Sequence, residues 1–217
     1  MKLADAVPIL ESSCNIRFGE LFEDLPVDLK TNKGNVGQLL ELHVGLSLNN
    51  DLTDFEDGEL KTNKANEFGM PRETMFITQI SDMFDNLIST PPLAFEETKI
   101  YQKIQNLIFL PVVKDSPDRS EWYFTGCYHV QIPLGSDLFN WLKLDYETIC
   151  ANIRTDLVRG DGFIHTSNGK LIQIRSKDSK PYHPIFSDSL NRYVSNKNHA
   201  FYFRKQFMET IIAIDNW

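Results

Sequence analysis

Residues 54–61 of this chain, Asp-Phe-Glu-Asp-Gly-Glu-Leu-Lys, combine the side chains that can hold a divalent metal and a hydrolytic water. Side chains alternate along a strand, so Glu59 and Lys61 would share one face while Leu60 turns into the core behind them. Asp54 could come alongside through a tight turn. Carboxylates are ligands that Mg²⁺ prefers, and a neighbouring lysine can bind the attacking water. The motif predicts phosphodiester hydrolysis, although the same pattern also occurs on a solvated strand face or as a structural ion pair.

The charges of the chain are distributed unevenly, and this bears on its partners. The 217 residues carry a net charge of −8, but residues 1–163 hold 14 Lys/Arg and 26 Asp/Glu, whereas residues 164–217 hold 8 and 4. We expect the basic C-terminal quarter to face the phosphates of DNA. The acidic cluster at 51–59 is what a divalent-metal site needs before the metal binds. The alternative is that the acidic bias serves solubility and the C-terminal lysines are ordinary surface.

The cysteines and the N-terminus predict a cytoplasmic protein. Cys14, Cys127 and Cys150 are widely spaced and form no Cys-x-x-Cys pair, which favours reduced thiols and argues against a structural zinc. The N-terminus carries Asp5 and Glu11 and is a poor secretory signal. No apolar run approaches the length of a membrane span, so we expect no membrane partner.

The hydrophobic pattern predicts an α/β fold with a mixed sheet, an α+β arrangement with flanking helices. The predicted helices are 35–46, 81–89, 136–158 and 200–213. The predicted strands are 58–62, 72–80, 106–113, 122–132 and 171–175, and residues 179–198 are predicted as a long polar loop. We expect a single domain over residues 1–217, with a catalytic lobe at about 1–160 and a DNA-recognition lobe at about 161–217.

Several segments resemble, in the same order, those of the MutH-type endonucleases, a family of mismatch-repair nicking enzymes and Sau-type restriction enzymes. Residues 33–41 resemble its Lys-Gly-x-Val-Gly-x-Leu-Leu-Glu, and residues 54–62 resemble its Asp-Phe…Glu-Leu-Lys-Thr. The other matching segments are Phe18-Gly-Glu-Leu, Arg72-Glu-Thr-Met-Phe, Lys103 ahead of Leu-Ile-Phe-Leu-Pro, Ile174-Arg175-Ser-Lys177 and Phe201-Tyr-Phe-Arg-Lys-x-Phe207. The resemblance spans about residues 16–213. It favours an active-site strand over a merely structural strand at residues 54–61.

The resemblance implies a PD-(D/E)xK restriction-endonuclease-like core, a DNA-binding cleft between two lobes, and Mg²⁺ as cofactor. Asp54, Glu59 and the backbone carbonyl of Leu60 would be metal ligands, and Glu41 would position a metal or its water. The gap from Asp54 to Glu59 is two residues shorter than in the mismatch-repair members. Two neighbouring acids therefore stay open as alternative ligands, Asp51 and Asp57.

The lysines of the motif also take roles from the resemblance. Lys61 would hydrogen-bond the attacking water, and Lys103 would lie close to the scissile phosphate. A structural ion pair with Glu59 is the alternative for Lys61, and a surface position at a helix end is the alternative for Lys103. Lys33 and Gly34 would approach a phosphate at a helix start, or form a plain helix-opening turn.

Residues for DNA recognition are expected in the basic quarter. Arg175 and Lys177 occupy alternate positions and could enter a groove together, arginine being the usual reader of guanine. Tyr202 corresponds to the family's tyrosine near the adenine, where methylation is sensed, although it could be a core aromatic of a helix. Arg204 and Lys205 would contact phosphates, which position the protein without specifying sequence.

These features together predict a Mg²⁺-dependent, sequence-specific endonuclease acting on double-stranded DNA, with a GATC-like site by resemblance. Residues 115–122 are more similar to the restriction branch, so we expect a type II restriction enzyme that works as a homodimer on DNA or by two successive nicks. The first alternative is a mismatch-repair nickase that acts on hemimethylated DNA and is activated by a MutL-like partner. The second is a non-catalytic DNA-binding module, against which the presence of Asp54, Glu59 and Lys61 argues.

Overall fold

The computed structural model describes residues 1–23, 36–47 and 51–215, and it confirms the mixed α/β class with a mixed sheet. Two compact units are built from interleaved segments of the chain. The first unit comprises Met1–Met75, Lys103–Gln131 and Met208–Trp217, and the second comprises Phe76–Gln102 and Ile132–Phe207. Within the described ranges, no helix is both long enough and apolar enough to cross a membrane.

Seven α-helices and ten strands lie within the described residues, together with two short 3-10 helices at Phe95–Glu97 and Arg119–Glu121. The helices are α1 (Leu3–Ser12), α2 (Phe18–Leu21), α3 (Val36–His43), α4 (Phe84–Ile88), α5 (Lys99–Ile104), α6 (Asp137–Arg159) and α7 (Lys205–Asp215). The strands are β1 (Glu59–Ala65), β2 (Met75–Gln79), β3 (Asn106–Val113), β4 (Tyr123–Phe124), β5 (Tyr128–Gln131), β6 (Ser167–Asn168), β7 (Ile172–Ser176), β8 (Ile185–Ser187), β9 (Arg192–Ser195) and β10 (His199–Phe203).

The sheet of the first unit is built around β3, an apolar strand that is buried almost throughout. β1 runs parallel to β3, and β4 and β5 pair with it antiparallel, so β3 is hydrogen-bonded on both sides. Such a strand reads in sequence as a continuous apolar run, which is why 106–113 was predicted with its observed bounds. β1 is the neighbour of β3 on the side away from β4, and it carries the polar motif.

Alternation along β1 separates its core face from its polar face. Leu60 pairs in register with Ile108 and packs with it in a core cluster that also holds residues of α1 and α3. The apolar side chains that α1 and α3 contribute are Leu3, Ala6, Leu10, Val36, Leu39 and Leu40. Glu59 and Lys61 therefore lie on the opposite face, as the period of two requires. The hydrophobic core behind Leu60 fixes the strand that positions them.

The second unit holds a sheet of order β2-β10-β7-β6 and the two-stranded hairpin β8–β9. Helix α6 begins at Ser136, whose Oγ accepts a hydrogen bond of 3.2 Å from the Phe139 backbone N–H. Asp145 of α6 is buried and accepts from the backbone N–H groups of Lys170, Leu171 and Ile172 at 2.7, 2.5 and 3.0 Å. This carboxylate ties α6 to the turn that leads into β7.

Gly169 is required in that turn by the approach of the same carboxylate. A Cβ placed on Gly169 would lie 2.3 Å from Cγ of Asp145, which is closer than any side chain allows. A glycine at this point lets the turn close over the carboxylate and delivers β7 to its place between β6 and β10.

Several element predictions were wrong, most of them in the second half of the chain. Residues 200–213 were predicted as one helix, but β10 occupies the first part and α7 begins only at Lys205. Residues 179–198 were predicted as a loop, but they contain the β8–β9 hairpin. Residues 122–132 were predicted as one strand, but β4 and β5 are separate. The helix predicted at 81–89 shrinks to α4, and α1 was not predicted at all.

Candidate active site

The carboxylate of Glu59 is the centre of a charged cluster on the polar face of β1. Its side chain is only 2% exposed, and its Oε1 accepts from the ammonium groups of both Lys61 and Lys103. Lys61 lies two residues further along the same strand, and Lys103 reaches the carboxylate from the last turn of α5, at 2.9 Å. The two lysine side chains are themselves 17% and 19% exposed. A glutamate at this depth needs such partners, because an unpaired buried charge is costly.

The second oxygen of the Glu59 carboxylate has no partner. Oε2 of Glu59 is buried and accepts no hydrogen bond from any group in the described part of the chain. A buried acceptor left unsatisfied typically costs about 1–3 kcal/mol, so proteins rarely keep one without a use for it. Glu59 thus presents one oxygen to two ammonium groups and the other to a place that a cation could occupy.

A hydrogen bond to the backbone of β1 holds Asp54 beside Glu59. Its Oδ2 accepts from the Leu60 backbone N–H at 2.8 Å. Burial and then the negative charge of Glu59 raise the pKa of Asp54, and the Leu60 hydrogen bond and the Lys61 charge oppose that rise. By contrast, Asp57 accepts from the Leu3 backbone N–H at 2.8 Å and so faces α1. Of the alternative acids, Asp51 is exposed on the chain before the motif.

Glu41, on α3, completes the acidic side of the cluster. It is half-buried, and burial followed by the charge of Asp54 raises its pKa. Lys61 lowers that pKa and Glu59 raises it further, so all four groups lie within electrostatic reach of one another. The pKa values of Glu41 and Asp54 are raised first by burial and then by the negative charge concentrated here, and a bound cation would offset that charge.

The residues fit a hard divalent cation that keeps part of its water shell. Oxygen donors, a buried carboxylate oxygen without a partner and mutual repulsion among carboxylates are the features that suit Mg²⁺. Across residues 1–23, 36–47 and 51–215, no three acidic, histidine or cysteine side chains converge into a ready-made metal cage. Magnesium is commonly held by one or two carboxylates with water and substrate phosphate completing its shell, so a full protein cage is not required.

Three of the predicted DNA-binding residues lie together in the second unit. The guanidinium of Arg175 lies 5.1 Å from the ring centre of Tyr202, and the ammonium of Lys177 lies 4.0 Å from that of Phe76. The rings of Phe76 and Tyr202 meet edge to face with centres 5.7 Å apart. Four side chains thus contact one another in the order Arg175, Tyr202, Phe76 and Lys177. They are called the cation–aromatic row below. Tyr202 belongs to strand β10 and not to a helix, as the sequence had allowed.

Phe76 is a member of this row that sequence reasoning did not single out. It lies within the matching segment that begins at Arg72, and it is half-exposed between the buried Met75 and Ile77 of β2. An aromatic side chain on the wet face of a strand is the signal that could have identified it. Edge-to-face packing against Tyr202 fixes its ring, and Lys177 covers it.

Arg204 and Lys205 are not brought to either cluster. Nη1 of Arg204 donates to the Gly169 carbonyl, and its backbone N–H donates to the Leu171 carbonyl at 2.7 Å, so its guanidinium is engaged in holding the chain. Lys205 is exposed at the first position of α7. Lys33 and Gly34 lie outside the described residues. Their phosphate contacts stay predictions.

Comparison with known proteins returns relatives of one kind. No family model matches the chain. DNA mismatch repair protein MutH of Haemophilus influenzae (strain 86-028NP) is 31% identical over 109 residues, which are 47% of this chain and 47% of that protein. Proteins of the same name from Shewanella woodyi and Vibrio cholerae are 27% identical over 192 residues and 26% over 205, covering 87% and 91% of this chain and 79% and 89% of theirs.

The short and the long matches agree with each other. The match spans about half the length of the Haemophilus protein, and the longer matches extend it over most of the chain at lower identity. The name that these relatives share agrees with the family that the ordered segments resemble, and the mixed α/β fold is consistent with it. The chain is thus similar to the MutH proteins over most of its length, which supports its assignment to the MutH-type family.

Proposed function

We propose that this protein is a Mg²⁺-dependent endonuclease that cleaves double-stranded DNA, with Glu59, Asp54, Lys61, Lys103 and Glu41 as its active site. The observation that carries the proposal is the buried Glu59 carboxylate, which binds two lysines through one oxygen and leaves the other without a partner. A purely structural ion pair would satisfy both oxygens. Relatives named DNA mismatch repair protein MutH support DNA as the substrate.

Each side chain then has a defined task. Asp54 and Glu59 would hold Mg²⁺ together with the Leu60 carbonyl, and Glu41 would position the metal or its water. The bound Mg²⁺ supplies positive charge that lowers the pKa of a water and offsets charge on the phosphoryl group. The proximity of Lys61 to Glu59 supports a role at the reacting centre, where the Lys61 ammonium would donate to the attacking water.

Lys103 is suited to the phosphate itself. Its ammonium lies 2.9 Å from Glu59 and is mostly shielded from solvent, so its charge is screened little. A scissile phosphate that approached the same oxygen-rich point would find Lys103 already in place to stabilise the charge that develops on it. This pre-positioning is the physical basis for assigning Lys103 to catalysis rather than to the surface of α5.

DNA recognition is proposed for the cation–aromatic row in the second unit. Arg175 and Lys177 are held by aromatic rings, which restricts their side chains before DNA arrives. Arg175 would read a guanine edge, and Tyr202 and Phe76 would contact the neighbouring base. The phosphate contacts proposed beside them are Lys205, Arg204, Lys33 and Gly34.

We favour a type II restriction role, with a GATC-like site, cytoplasmic location and a homodimer on DNA as further parts of the proposal. The similarity of residues 115–122 to the restriction branch supports it, whereas the names of the relatives favour a methyl-directed repair nickase with a MutL-like activator. The test is digestion of unmethylated, hemimethylated and fully methylated plasmid with Mg²⁺, followed by sequencing of the ends.

The three outcomes of this digestion separate the candidates. Linear product with defined ends from unmethylated plasmid, made by the protein alone, is the result we expect for a restriction enzyme. Nicking that requires an added repair ATPase and one unmethylated strand would assign the repair role instead. Binding of plasmid without any cut under all conditions would leave only a non-catalytic DNA-binding module.

A further inference from the structure

Gln79, the last residue of β2, has an exposed side chain that is nonetheless held in one orientation. Nδ2 of Asn198 donates to Oε1 of Gln79 at 2.5 Å. The orientation of the Asn198 amide is fixed independently, because its Oδ1 accepts from the His199 backbone N–H at 2.8 Å. The nitrogen of Asn198 must therefore be the atom that faces Gln79, and the oxygen of Gln79 must be the atom that receives it.

Asn198 is itself a rigid anchor. It is only 6% exposed, its backbone N–H donates to Asp178 at 2.8 Å, and its carbonyl accepts from the Lys177 backbone N–H at 3.0 Å. Asp178 also accepts from the backbone N–H of His183 at 2.5 Å, and its other oxygen lies 3.1 Å from Nδ1 of His183. An exposed glutamine is therefore attached to a buried asparagine whose side chain, backbone N–H and carbonyl are all hydrogen-bonded.

The position of this glutamine matters because of its neighbours. Gln79, Lys177, Asp178, His183 and Asn198 line one open cavity of about 500 Å³ in the second unit. Lys177 belongs both to this cavity and to the cation–aromatic row, since its ammonium covers the ring of Phe76. The cavity and the proposed DNA-reading row are thus continuous along β2, β10 and the end of β7.

We infer that Gln79 is a specificity-determining residue that reads the major-groove edge of one base, a role that rests on the proposed DNA-binding function. With Oε1 turned toward Asn198, the side-chain nitrogen of Gln79 presents two N–H donors, and Oε1 keeps one lone pair. One donor and one acceptor side by side match the N7 and N6 positions of adenine. Because Asn198 holds the amide beforehand, little side-chain freedom remains to be lost on binding.

The test compares four proteins: wild type, Gln79→Glu, Gln79→Ala and the control Gln131→Ala, which removes an exposed strand-end glutamine of the first unit. Glutamate keeps an oxygen that can accept from Asn198 and lacks any side-chain N–H. A merely structural glutamine would therefore tolerate Gln79→Glu, whereas a base reader would not. Each protein selects from a randomised duplex library with Ca²⁺ in place of Mg²⁺, and the enriched sequences and their affinities are measured.

We expect Gln79→Glu and Gln79→Ala to lose the base preference at one position of the selected site, or at its symmetric pair. Affinity for the wild-type consensus should fall about 10–100-fold while affinity for unrelated DNA stays unchanged. Unaltered preferences at every position in Gln79→Glu would overturn the inference alone, provided that wild type selects and cuts a defined sequence. A wild-type protein that selects no sequence would overturn the proposed function as well, so the two failures are distinguishable.

Discussion

Lys103 crosses 44 residues of sequence to bring its ammonium within 2.9 Å of the Glu59 carboxylate. The contact joins Lys103, near the end of α5, to the first residue of β1, and both residues lie in the first unit. Lys61 binds the same oxygen from the strand itself. One buried oxygen of Glu59 thus binds two ammonium groups, and no group among the described residues binds the other oxygen. The stability and activity of the site can be predicted from this arrangement.

Glu59→Gln should destabilise the protein in the absence of metal. The amide keeps the shape of the side chain but removes the charge that two ammonium groups face, so those groups lose their partner in a mostly buried place. We expect the free energy of unfolding at pH 7 to fall by about 1–3 kcal/mol, measured by urea denaturation. The control is Glu56→Gln, at an exposed carboxylate paired with the N-terminus, which should change stability by less than about 0.5 kcal/mol. Equal effects of the two variants would mean that the Glu59 pairs contribute nothing.

Asp54→Asn should have the opposite effect on the metal-free protein. Burial and Glu59 raise the pKa of Asp54, so the folded state binds this proton more tightly than the unfolded state does. The ionised Asp54 carboxylate therefore lowers the free energy of unfolding at neutral pH. This loss shrinks as pH falls through the raised pKa toward the ordinary value of 3.8. Asparagine keeps an oxygen for the Leu60 N–H and carries no charge.

We expect Asp54→Asn to melt at a higher temperature than wild type at pH 7 and to lose part of the difference as pH falls to about 4. Melting curves recorded without metal at several pH values measure this. A variant that is less stable than wild type at every pH would contradict this prediction, because the ionised Asp54 carboxylate would then stabilise the metal-free protein.

Magnesium should stabilise the wild-type protein and leave Asp54→Asn and Glu59→Gln unaffected. A ligand that binds only the folded state at ten times its Kd adds about 1.4 kcal/mol to the free energy of unfolding. Asp51→Asn and Asp57→Asn should keep the full shift, although Asp57→Asn starts from somewhat lower stability because a neutral oxygen replaces the charged acceptor of the Leu3 N–H. Loss of the magnesium shift in either of these, with Asp54→Asn still responding, would assign the ligand to the other acid.

The two kinds of basic residue should differ in how they affect DNA binding. Arg175→Ala removes a proposed base reader and should cost about 1–3 kcal/mol on the preferred sequence while relaxing selectivity at one position. Lys205→Ala removes a proposed phosphate contact and should weaken all sequences alike, reducing the slope of log affinity against log salt by about 1. Titrations at several salt concentrations separate the two effects, and identical behaviour of both variants would refute the proposed division of roles.

The parts of the fold that could be read from sequence are those in which one local signal dominates. β3 is a continuous apolar run and α6 has a long helical period, so both were predicted nearly to their ends. The segment from Phe201 to Phe207 contains apolar residues that fit a helix as well as a strand. Pairing with β7 decides in favour of a strand as far as Phe203, and that pairing is a tertiary effect.

The candidate site divides in the same way. The shared face of Glu59 and Lys61 follows from the strand period alone, and the structure places them so. The contact of Lys103 with Glu59 depends on tertiary structure and was not predicted, although the family resemblance had placed Lys103 near the scissile phosphate. Phe76 and the hold of Asn198 on Gln79 involve residues more than 100 positions apart in sequence, for which a single sequence carries no signal.

The most direct test of the nuclease proposal is the rate at which Lys61→Ala cuts its preferred duplex in Mg²⁺ under single-turnover conditions. Lys64→Ala is the matched control, since Lys64 lies on the same strand but on the opposite face from Glu59 and Lys61. We predict that Lys61→Ala binds the duplex like wild type but cuts it at least about 10²-fold more slowly, whereas Lys64→Ala cuts normally. Wild-type cleavage rates in Lys61→Ala would contradict the account, because the ammonium beside Glu59 would then take no part in hydrolysis.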